Sequence, residues 1–327
     1  MSKPKLFCTH VLFDQPRRLL AEHFDVAYWT ENERPPRPEL LKRVAGKDAL
    51  ICLLTEKVDA ELLDAAGPNL RIVANVAVGF DNIDLPECTK RNVAVTNTPG
   101  VLDETTADFT WTLLLAVARR VVEGDRLARS GEWLQWNFDL LCGTDVWGKT
   151  LGIIGFGRIG RAVARRAGGF RMRVIYYSRA RAPEEVERKL NAEYRSRDQV
   201  LEQADFLSLH VPLNEDTRGL IGPSELAKMK RTAFLINTTR GAVVQEAALV
   251  EALQKGIIAG AALDVFEHEP VISDGLRLDN VVLAPHLGSA SVETRTRMAM
   301  IAVENAVAFF EGKRPPTILN PEVLPGN

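Results

Sequence analysis

The sequence carries no excess of charge of either sign. Lysine and arginine together number 41, aspartate and glutamate number 43, and the formal net charge is −2. General binding to nucleic acid or to an anionic membrane surface depends on a strongly basic field. We therefore expect neither as a partner, and any anion-binding site must be a local arrangement of groups.

Long apolar runs, paired cysteines and metal-ligand patterns are absent as well. No stretch of 18 uninterrupted apolar residues occurs, so the sequence predicts neither a signal segment nor a membrane span. The four cysteines form no CxxC pair, which disfavours a disulfide framework and a zinc ribbon. No HxH, HxxE or clustered carboxylate pattern is present. We expect a globular cytoplasmic protein with reduced thiols and no bound metal.

Short apolar runs alternate with amphipathic stretches in two successive series. The first series predicts strands over 5–8, 26–29, 49–54, 70–74 and 93–97, and the second over 150–155, 173–177, 206–211, 233–237, 258–264 and 281–284. Strands separated by helices form right-handed βαβ units and parallel sheets. The 327 residues allow about two domains. The sequence thus predicts an α/β protein with two doubly wound parallel sheets.

Two longer helices are expected in addition. The apolar segment from Asp103 to about Arg129 predicts one buried helix that ends near Gly131. The segment after His286 predicts another helix, with Ser289 or Ser291 as its N-cap and Gly312 beyond its C-terminus.

A glycine-rich turn opens the second series of strands. The GxGxxG pattern directly follows a strand and precedes a helix. In that position the glycines permit a tight turn, a close approach to a diphosphate and the packing of helix on strand, while the helix N-terminus favours the anion. The turn predicts dinucleotide binding by six residues, namely Gly155, Phe156, Gly157, Arg158, Ile159 and Gly160; a tight turn without a ligand is the alternative.

The end of the next strand bears on the choice of dinucleotide. An NAD site usually has a carboxylate here, which accepts hydrogen bonds from the ribose hydroxyls. This sequence has Ser178, Arg179 and Arg181 instead, and arginine suits a 2′-phosphate. We therefore favour NADP(H) over NAD(H). The alternative is that both arginines are solvated and paired with Glu184 or Glu185.

Three later strand ends carry residues suited to keto acid reduction. Arg240, Glu269 and His286 each follow an apolar run, and loops at the carboxyl ends of parallel strands converge on one crevice. The arginine would orient a carboxylate and polarise a carbonyl, the histidine would donate a proton, and the glutamate would hold the imidazole protonated. His268 and His210 are rival acids that we expect to be packed or exposed side chains.

The chain resembles the D-isomer-specific 2-hydroxyacid dehydrogenase family, most closely its glyoxylate/hydroxypyruvate reductase branch. The motifs that carry the resemblance are NVAVGFDNIDLPECTKRNVAVTNTPG, ETTADFTWTLLLAVARR, GKTLGIIGFGRIGRAVARR, VIYYSR, LINTTRGAVV, AGAALDVFEHEP and NVVLAPHLGSA. The resemblance implies that Arg240 binds the keto acid, that His286 donates the proton, and that Glu269, directly before proline, pairs with His286. It also implies that backbone amides of Val78 and Gly79 bind the substrate carboxylate.

The resemblance implies further cofactor and substrate residues. Asp264 is implied as a partner of the nicotinamide carboxamide and Thr106 as a neighbour of the cofactor. Leu53 lies in a loop expected to form a wall of the substrate pocket. The remaining residues assigned to the cofactor are Val211, Pro212, Thr238, Thr239 and Gly288.

The family's fold implies that one domain is inserted in the other. Residues 1–98 with 289–327 would form a flavodoxin-like substrate domain, and residues 99–288 a Rossmann nucleotide-binding domain. Substrate would lie in a cleft between them. Family members are commonly homodimers through the nucleotide domains, with the helix over 103–130 in the contact and residues 133–142 as a segment that could approach the partner's pocket.

The expected function is NADPH-preferring reduction of a small 2-keto acid, with glyoxylate first and hydroxypyruvate second. An NADH-linked dehydrogenase for lactate, phosphoglycerate or another small acid is the alternative within the same class. The fold also serves as a nucleotide-sensing corepressor that binds peptides, a third hypothesis that the intact set of Arg240, Glu269 and His286 disfavours.

Overall fold

A computed structural model describes residues 2–324 of the chain. The chain divides into two compact units, Met1–Leu102 with Ala290–Asn327, and Asp103–Ser289. We call them the five-stranded unit and the seven-stranded unit after their sheets. Every strand pairing in both sheets is parallel. The predicted α/β class with two parallel sheets is therefore confirmed.

The five-stranded unit has the strand order β2-β1-β3-β4-β5, which is the flavodoxin-like order. Its strands are β1 Lys5–Cys8, β2 Asp25–Tyr28, β3 Ala49–Cys52, β4 Ile72–Asn75 and β5 Ala94–Thr96. Its helices are α1 Asp14–His23, α2 Arg37–Val44, α3 Ala60–Ala66, α4 Leu85–Lys90 and α12 Val292–Phe310. Alternate residues of each strand enter separate cores: Leu50 packs in one, and Ile51 in the other.

The seven-stranded unit has the order β12-β11-β10-β9-β6-β7-β8. Its strands are β6 Thr150–Ile154, β7 Arg173–Tyr177, β8 Ala192–Tyr194, β9 Phe206–Leu209, β10 Phe234–Asn237, β11 Gly260–Leu263 and β12 Val281–Leu283. Its helices are α5 Asp103–Ala118, α6 Val121–Ser130, α7 Arg158–Ala167, α8 Glu184–Leu190, α9 Arg197–Gln203, α10 Pro223–Lys228 and α11 Glu246–Gln254. The chain reverses its direction of winding between β6 and β9, where α/β sheets bind ligands. The sequence did not predict β8.

The single buried helix predicted over 103–129 is wrong. The structure has two helices, α5 and α6, separated at Arg120, whose φ is +52°. Arg120 closes this left-handed turn with two hydrogen bonds to Glu123, of 2.9 and 2.6 Å. The apolar periodicity ends at Ala118, and α6 has no buried residue. Val122 on α6 still packs against the core but is only partly buried, so the prediction extended one buried helix past the point where full burial ends.

The predicted C-terminal helix is confirmed as α12. Its N-cap is Ser291, whose Oγ accepts a hydrogen bond from Thr294 N at 3.1 Å, so Ser289 is excluded. Gly312 follows the helix with φ +74°.

None of the helices in residues 2–324 combines the length and apolarity needed to cross a membrane. Three cysteines are buried thiols, and burial raises the pKa of Cys8 and Cys88 to about 12, whereas Cys142 is exposed.

Candidate active site

The glycine-rich turn connects β6 to α7 at the point where the winding reverses. Gly155 has φ +97°, and a Cβ there would lie 2.4 Å from the carbonyl oxygen of His210, so only glycine fits. Gly157 faces open space and, as the N-cap, gives the first N–H groups of α7 no side-chain acceptor. Those N–H groups lack partners within the helix and favour an anion. The turn therefore fits the diphosphate of a dinucleotide.

The side chains of this turn contact the protein itself. The Phe156 ring stacks on Tyr176 with 3.8 Å between ring centroids. Arg158 forms an ion pair with Asp103, with 3.3 Å between Nε and Oδ2, and Ile159 packs on the hydrophobic core. Backbone amides are accordingly what these residues offer to a diphosphate.

The turn after β7 separates the two arginines predicted to recognise a 2′-phosphate. Arg179 is 77% exposed, and its Nη1 lies 3.4 Å from Asp216 Oδ2. Arg181 donates two hydrogen bonds to Glu187, from Nε to Oε1 at 2.9 Å and from Nη2 to Oε2 at 2.8 Å. The sequence suggests Glu184 or Glu185 as the acid partner, and the structure has Glu187, because Glu187 occupies the inward face of α8.

Glu187 stabilises the turn after β7 through hydrogen bonds from both of its ends. Its Oε1 also accepts a hydrogen bond from the Tyr176 hydroxyl at 2.5 Å, and that hydroxyl accepts one from Ala182 N at 2.9 Å. The hydrogen bonds from Arg181 lower the pKa of Glu187 against the opposing effect of burial, and the bond from Tyr176 adds to the lowering. Arg181 is thus fixed by a carboxylate, and Ser178 and Arg179 are the less engaged groups of the turn.

The strand β10 ends in a turn that Asn237 closes. Its Oδ1 accepts hydrogen bonds from Thr239 N at 3.0 Å and Thr239 Oγ1 at 2.8 Å, and its Nδ2 donates to Arg240 O at 3.0 Å. The side-chain hydroxyl of Thr238 lies 3.0 Å from Thr110 Oγ1. The turn therefore fixes the backbone from which the Arg240 side chain extends.

Gly241 brings the Arg240 turn against the loop that follows β11. A Cβ at Gly241 would lie 1.9 Å from the carbonyl carbon of Phe266, which excludes any side chain. Phe266 N in turn donates a hydrogen bond to Glu269 Oε1 at 3.0 Å. Backbone packing thus places Arg240 close enough for its charge to act on Glu269.

Glu269 and His286 form a direct pair. His286 Nδ1 lies 2.8 Å from Glu269 Oε2, and the side chains are 25% and 31% exposed respectively. His286 has φ +55°, and its backbone N donates to Asp264 O at 2.9 Å. The second ring nitrogen, Nε2, bonds to no group within residues 2–324. It is the atom left for a ligand.

The electrostatics of the pair favour an ionised glutamate. Burial opposes ionisation of Glu269, but the hydrogen bond and charge of His286, the N–H of Phe266 and the charge of Arg240 outweigh it, so the pKa lies below its usual value. An ionised carboxylate beside Nδ1 can stabilise a positive charge on an imidazole ring. His286 can then donate a proton from Nε2.

Asp264 is buried at the end of β11 and binds the loop that carries His286. Its Oδ1 accepts from Leu287 N at 2.6 Å and its Oδ2 from Gly288 N at 2.8 Å. Burial raises the pKa of Asp264 to about 6, although both amides oppose the rise. A Cβ at Gly288 would lie 3.2 Å from Asp264 Oδ2 and 3.5 Å from Thr106 Cγ2. Three residues predicted for the cofactor, Thr106, Asp264 and Gly288, are therefore neighbours.

The two rival histidines are placed unlike His286. His210 is largely buried, its Nε2 lies 2.8 Å from Ser208 Oγ, and burial lowers its pKa to about 3. A neutral, buried imidazole is a poor acid. His268 is exposed, and its backbone forms a bridge with Val271. Directly after His210, the predicted cofactor residues Val211 and Pro212 leave β9 beside the glycine-rich turn.

The residues predicted for the substrate belong to the five-stranded unit. Leu53 follows β3, and its backbone N donates to Glu56 Oε2 at 2.7 Å. Val78 and Gly79 follow β4, and their carbonyl oxygens accept hydrogen bonds from Asn97 Nδ2 at 2.8 Å and Asn75 Nδ2 at 3.0 Å. Both loops are therefore held by buried or half-buried polar side chains.

Sequence reasoning missed these supporting side chains. Asn75 and Asn237 are the last residues of β4 and β10, Asn97 follows the end of β5, and Glu187 lies on a short helix. An asparagine that closes an apolar run was the available signal for the first three. Glu187 gave none, because two other acids, Glu184 and Glu185, lie within the same few residues.

Comparison with protein-family models matches residues 111–288 to "D-isomer specific 2-hydroxyacid dehydrogenase, NAD binding domain". A glyoxylate reductase of Korarchaeum cryptofilum is 53% identical over 325 residues, which cover 98% of this chain and 97% of that protein.

Solved structures resemble the chain over nearly its whole length. The TT0316 protein of Thermus thermophilus is 45% identical with a TM-score of 0.91, covering 96% of this chain and 99% of that one. An NADPH-dependent glyoxylate/hydroxypyruvate reductase of Sinorhizobium meliloti, solved with NADP and malonate, is 33% identical with a TM-score of 0.88, covering 99% and 98%.

Proposed function

Since the chain belongs to the D-isomer specific 2-hydroxyacid dehydrogenase family of NAD(P)-dependent oxidoreductases, we propose that it reduces glyoxylate, and secondarily hydroxypyruvate, with NADPH. The resemblance inferred from the motifs is confirmed at the level of the family. Similarity to a glyoxylate reductase over nearly the full chain supports the choice of substrate.

The observation that carries the proposal is the contact of His286 with Glu269. An imidazole held at Nδ1 by a carboxylate 2.8 Å away, whose Nε2 bonds to no group in the described part of the chain, is suited to donate one proton. Arg240 extends from the adjoining loop and adds a fixed positive charge. Keto acid reduction needs these two functions together.

The reaction divides between the cofactor and the side chains. A nicotinamide held by the residues assigned below would supply the hydride that the keto carbon needs. His286 Nε2 gives its proton to the carbonyl oxygen, which becomes the hydroxyl of the product, and the histidine regains a proton from solvent. Glu269 stabilises the imidazolium before the transfer, and Arg240 polarises the carbonyl and orients the acid.

The substrate carboxylate is assigned to the N–H groups of Val78 and Gly79, with Leu53 as a neighbour. The amides of Val78 and Gly79 donate no hydrogen bond to any group within residues 2–324, whereas Leu53 N is already bound to Glu56. Leu53 would thus contribute its side chain rather than its amide.

For the cofactor we assign the diphosphate to the residues of the glycine-rich turn and the nicotinamide end to the cluster that contains Asp264. Thr106 and Gly288 are the neighbours of Asp264 in that cluster, and Val211, Pro212, Thr238 and Thr239 are assigned to the cofactor as further contacts. Ser178 and Arg179 would bind the 2′-phosphate of NADPH, and Arg181 would support the turn while Glu187 holds it.

NADPH oxidation with glyoxylate, followed at the absorbance of the reduced nicotinamide, tests the function. We expect turnover with glyoxylate, slower turnover with hydroxypyruvate, and a lower KM for NADPH than for NADH. Absence of turnover with every short 2-keto acid and both cofactors would contradict the proposal. A peptide ligand for such an inactive protein would favour the corepressor hypothesis.

One observation favours a second candidate, an NADH-linked reductase of another small 2-keto acid. The ion pair between Arg181 and Glu187 leaves one arginine fewer for a 2′-phosphate. Equal kcat/KM with NADH and NADPH, or a preference for NADH, would select this candidate. Running pyruvate and hydroxypyruvate beside glyoxylate with both cofactors separates the two.

We also propose the domain roles and a homodimer. Residues 1–98 with 289–327 would form the substrate domain, and 99–288 the nucleotide domain.

Residues 131–140 are exposed throughout, with Trp133, Leu134, Trp136 and Phe138 each at least 56% exposed. Such a dense apolar segment on a seven-stranded unit is suited to an interface with a second copy. Light scattering should give the mass of a dimer, and Trp136→Glu with Phe138→Glu should give a monomer; a wild-type monomer would contradict this part.

A further inference from the structure

The turn after β4 presents an unusual set of inward-facing carbonyls. Three successive carbonyl oxygens accept hydrogen bonds from within the five-stranded unit: Thr98 N donates to Ala77 O at 2.9 Å, Asn97 Nδ2 to Val78 O at 2.8 Å and Asn75 Nδ2 to Gly79 O at 3.0 Å. Two of the three donors are side-chain amides.

Each of these bonds also fixes an amide on the opposite side. In a trans peptide the carbonyl of one residue and the N–H of the next point in opposite directions. The bond from Thr98 to Ala77 O therefore sets the direction of the Val78 N–H, and the bond from Asn97 to Val78 O sets that of the Gly79 N–H. Neither N–H donates to a group within residues 2–324. Both point away from the donors that hold the turn.

Asn97 is itself held firmly. Its side chain is buried, with the residue 7% exposed. Its carbonyl oxygen accepts a hydrogen bond from Thr317 Oγ1 at 2.6 Å, and Asn305, fully buried on α12, binds Thr317 through Nδ2 at 2.7 Å and through Oδ1 at 3.0 Å. A continuous series of hydrogen bonds thus runs from α12 to Val78 O.

We propose that Asn97 is a positioning residue for the substrate, which aims the Gly79 N–H at the substrate carboxylate by holding Val78 O. The inference rests on the proposed function for the identity of the ligand. An asparagine is required because the Nδ2 donor faces a carbonyl oxygen; an aspartate would place oxygen against oxygen and add a negative charge near an anion site.

Two variants test the assignment, with an exposed control. Asn97→Ala removes the donor, and Asn97→Asp replaces it with an acceptor of the same shape. We expect the KM for glyoxylate and the dissociation constant of the unreactive keto acid analogue oxamate to rise by about 10-fold in Asn97→Ala, and by more in Asn97→Asp. Asn69→Asp, which adds the same charge at an exposed turn, should leave both unchanged.

The readouts separate positioning from general damage. The dissociation constant of NADPH and the kcat at saturating glyoxylate should change little in either variant, because the affected turn binds the carboxylate. Oxamate binding by calorimetry needs no turnover, so loss of binding in Asn97→Ala supports the inference even if the wild type reduces no keto acid and the proposed function fails. A folded Asn97→Ala with wild-type oxamate affinity, or a wild type without oxamate affinity, overturns it. If Asn97→Asp does not fold by circular dichroism, Asn97→Ala decides.

Discussion

The catalytic pair shows how much single residues could be predicted. His286 and Glu269 follow different strands, and the convergence of strand ends on one crevice is the sequence-level reason to pair them. The resemblance is what favours Glu269 over Glu267. The structure shows the contact directly, with 2.8 Å between His286 Nδ1 and Glu269 Oε2. The pKa of Glu269 is lowered by neighbours that lie on three separate loops. No local sequence pattern shows that these loops meet.

Glu269→Gln should reduce kcat with glyoxylate by about 100-fold or more, since an amide does not stabilise the imidazolium that gives up the proton. In the wild type, the lowered pKa of Glu269 means that the carboxylate persists as the pH falls and is lost only below its usual titration range. Steady-state kinetics of the wild type and of Glu269→Gln from about pH 3.5 to about pH 9, a range that includes the ordinary titration range of glutamate, measure this.

The matched control is Glu267→Gln, two residues earlier on the exposed side of the same loop. It should keep kcat and the shape of the pH profile. Equal losses in Glu267→Gln and Glu269→Gln would mean that the loop, and not the carboxylate of Glu269, matters. NADPH affinity should be retained in both variants.

Arg179 and Arg181 should respond differently to truncation. Arg179→Ala should raise the dissociation constant of NADPH by roughly 10-fold and leave that of NADH nearly unchanged, because an exposed arginine would contact only the 2′-phosphate. Arg181→Ala should lower Tm and weaken both cofactors alike, because it leaves the Glu187 carboxylate without its cation. Fluorescence titrations with NADPH and NADH and thermal melts measure both. Parallel effects of Arg179→Ala on the two cofactors would contradict the assignment.

At the scale of elements, the strands and their order of succession followed from the alternation of apolar and amphipathic stretches. The break between α5 and α6 did not, because it depends on Arg120 adopting a left-handed conformation that its hydrogen bonds to Glu123 support. The short strand β8 was missed since Glu193 and the flanking asparagine and arginine give it no apolar run. Pairing with β7 defines this strand.

The glycine-rich turn gives a matched pair of substitutions. Gly155→Ala should destabilise the free protein by about 1–3 kcal/mol from backbone strain alone, and by more because its Cβ would meet the backbone of His210. A Cβ at residue 157 would face open space, so Gly157→Ala should fold normally. It should nevertheless bind NADPH more weakly, because the Cβ would lie where the diphosphate approaches.

Thermal melts and NADPH titrations of both variants measure the difference. A stable Gly155→Ala would show that the turn relaxes around His210. A Gly157→Ala protein with undiminished affinity would place the diphosphate away from this turn.

At the scale of the whole molecule, length predicted two domains, but only the resemblance indicated that one is inserted in the other. The inserted arrangement arises because α12 packs on the first sheet, where Ala299 and Ala302 join the core that contains Leu6 and Ile51. A contact between residues nearly 300 positions apart has no local signal. The near-neutral net charge is compatible with the proposed anion sites, because these rely on single arginines and oriented amides.

The separation of cores predicts that the seven-stranded unit can fold by itself. Each of the four hydrophobic clusters among the described residues lies within one unit. Residues 103–289 form one continuous stretch with two of these clusters, one on each face of the sheet. Expressed alone, this fragment should unfold cooperatively and bind NADPH, because the glycine-rich turn, Arg179 and Asp264 are all inside it, yet reduce no glyoxylate, because Val78 and Gly79 are missing. Denaturant unfolding, NADPH titration and the reductase assay measure the three properties. A fragment that binds NADPH and still reduces glyoxylate would remove the five-stranded unit from the proposed chemistry, whereas a fragment that does not fold would show that its two cores need the rest of the chain.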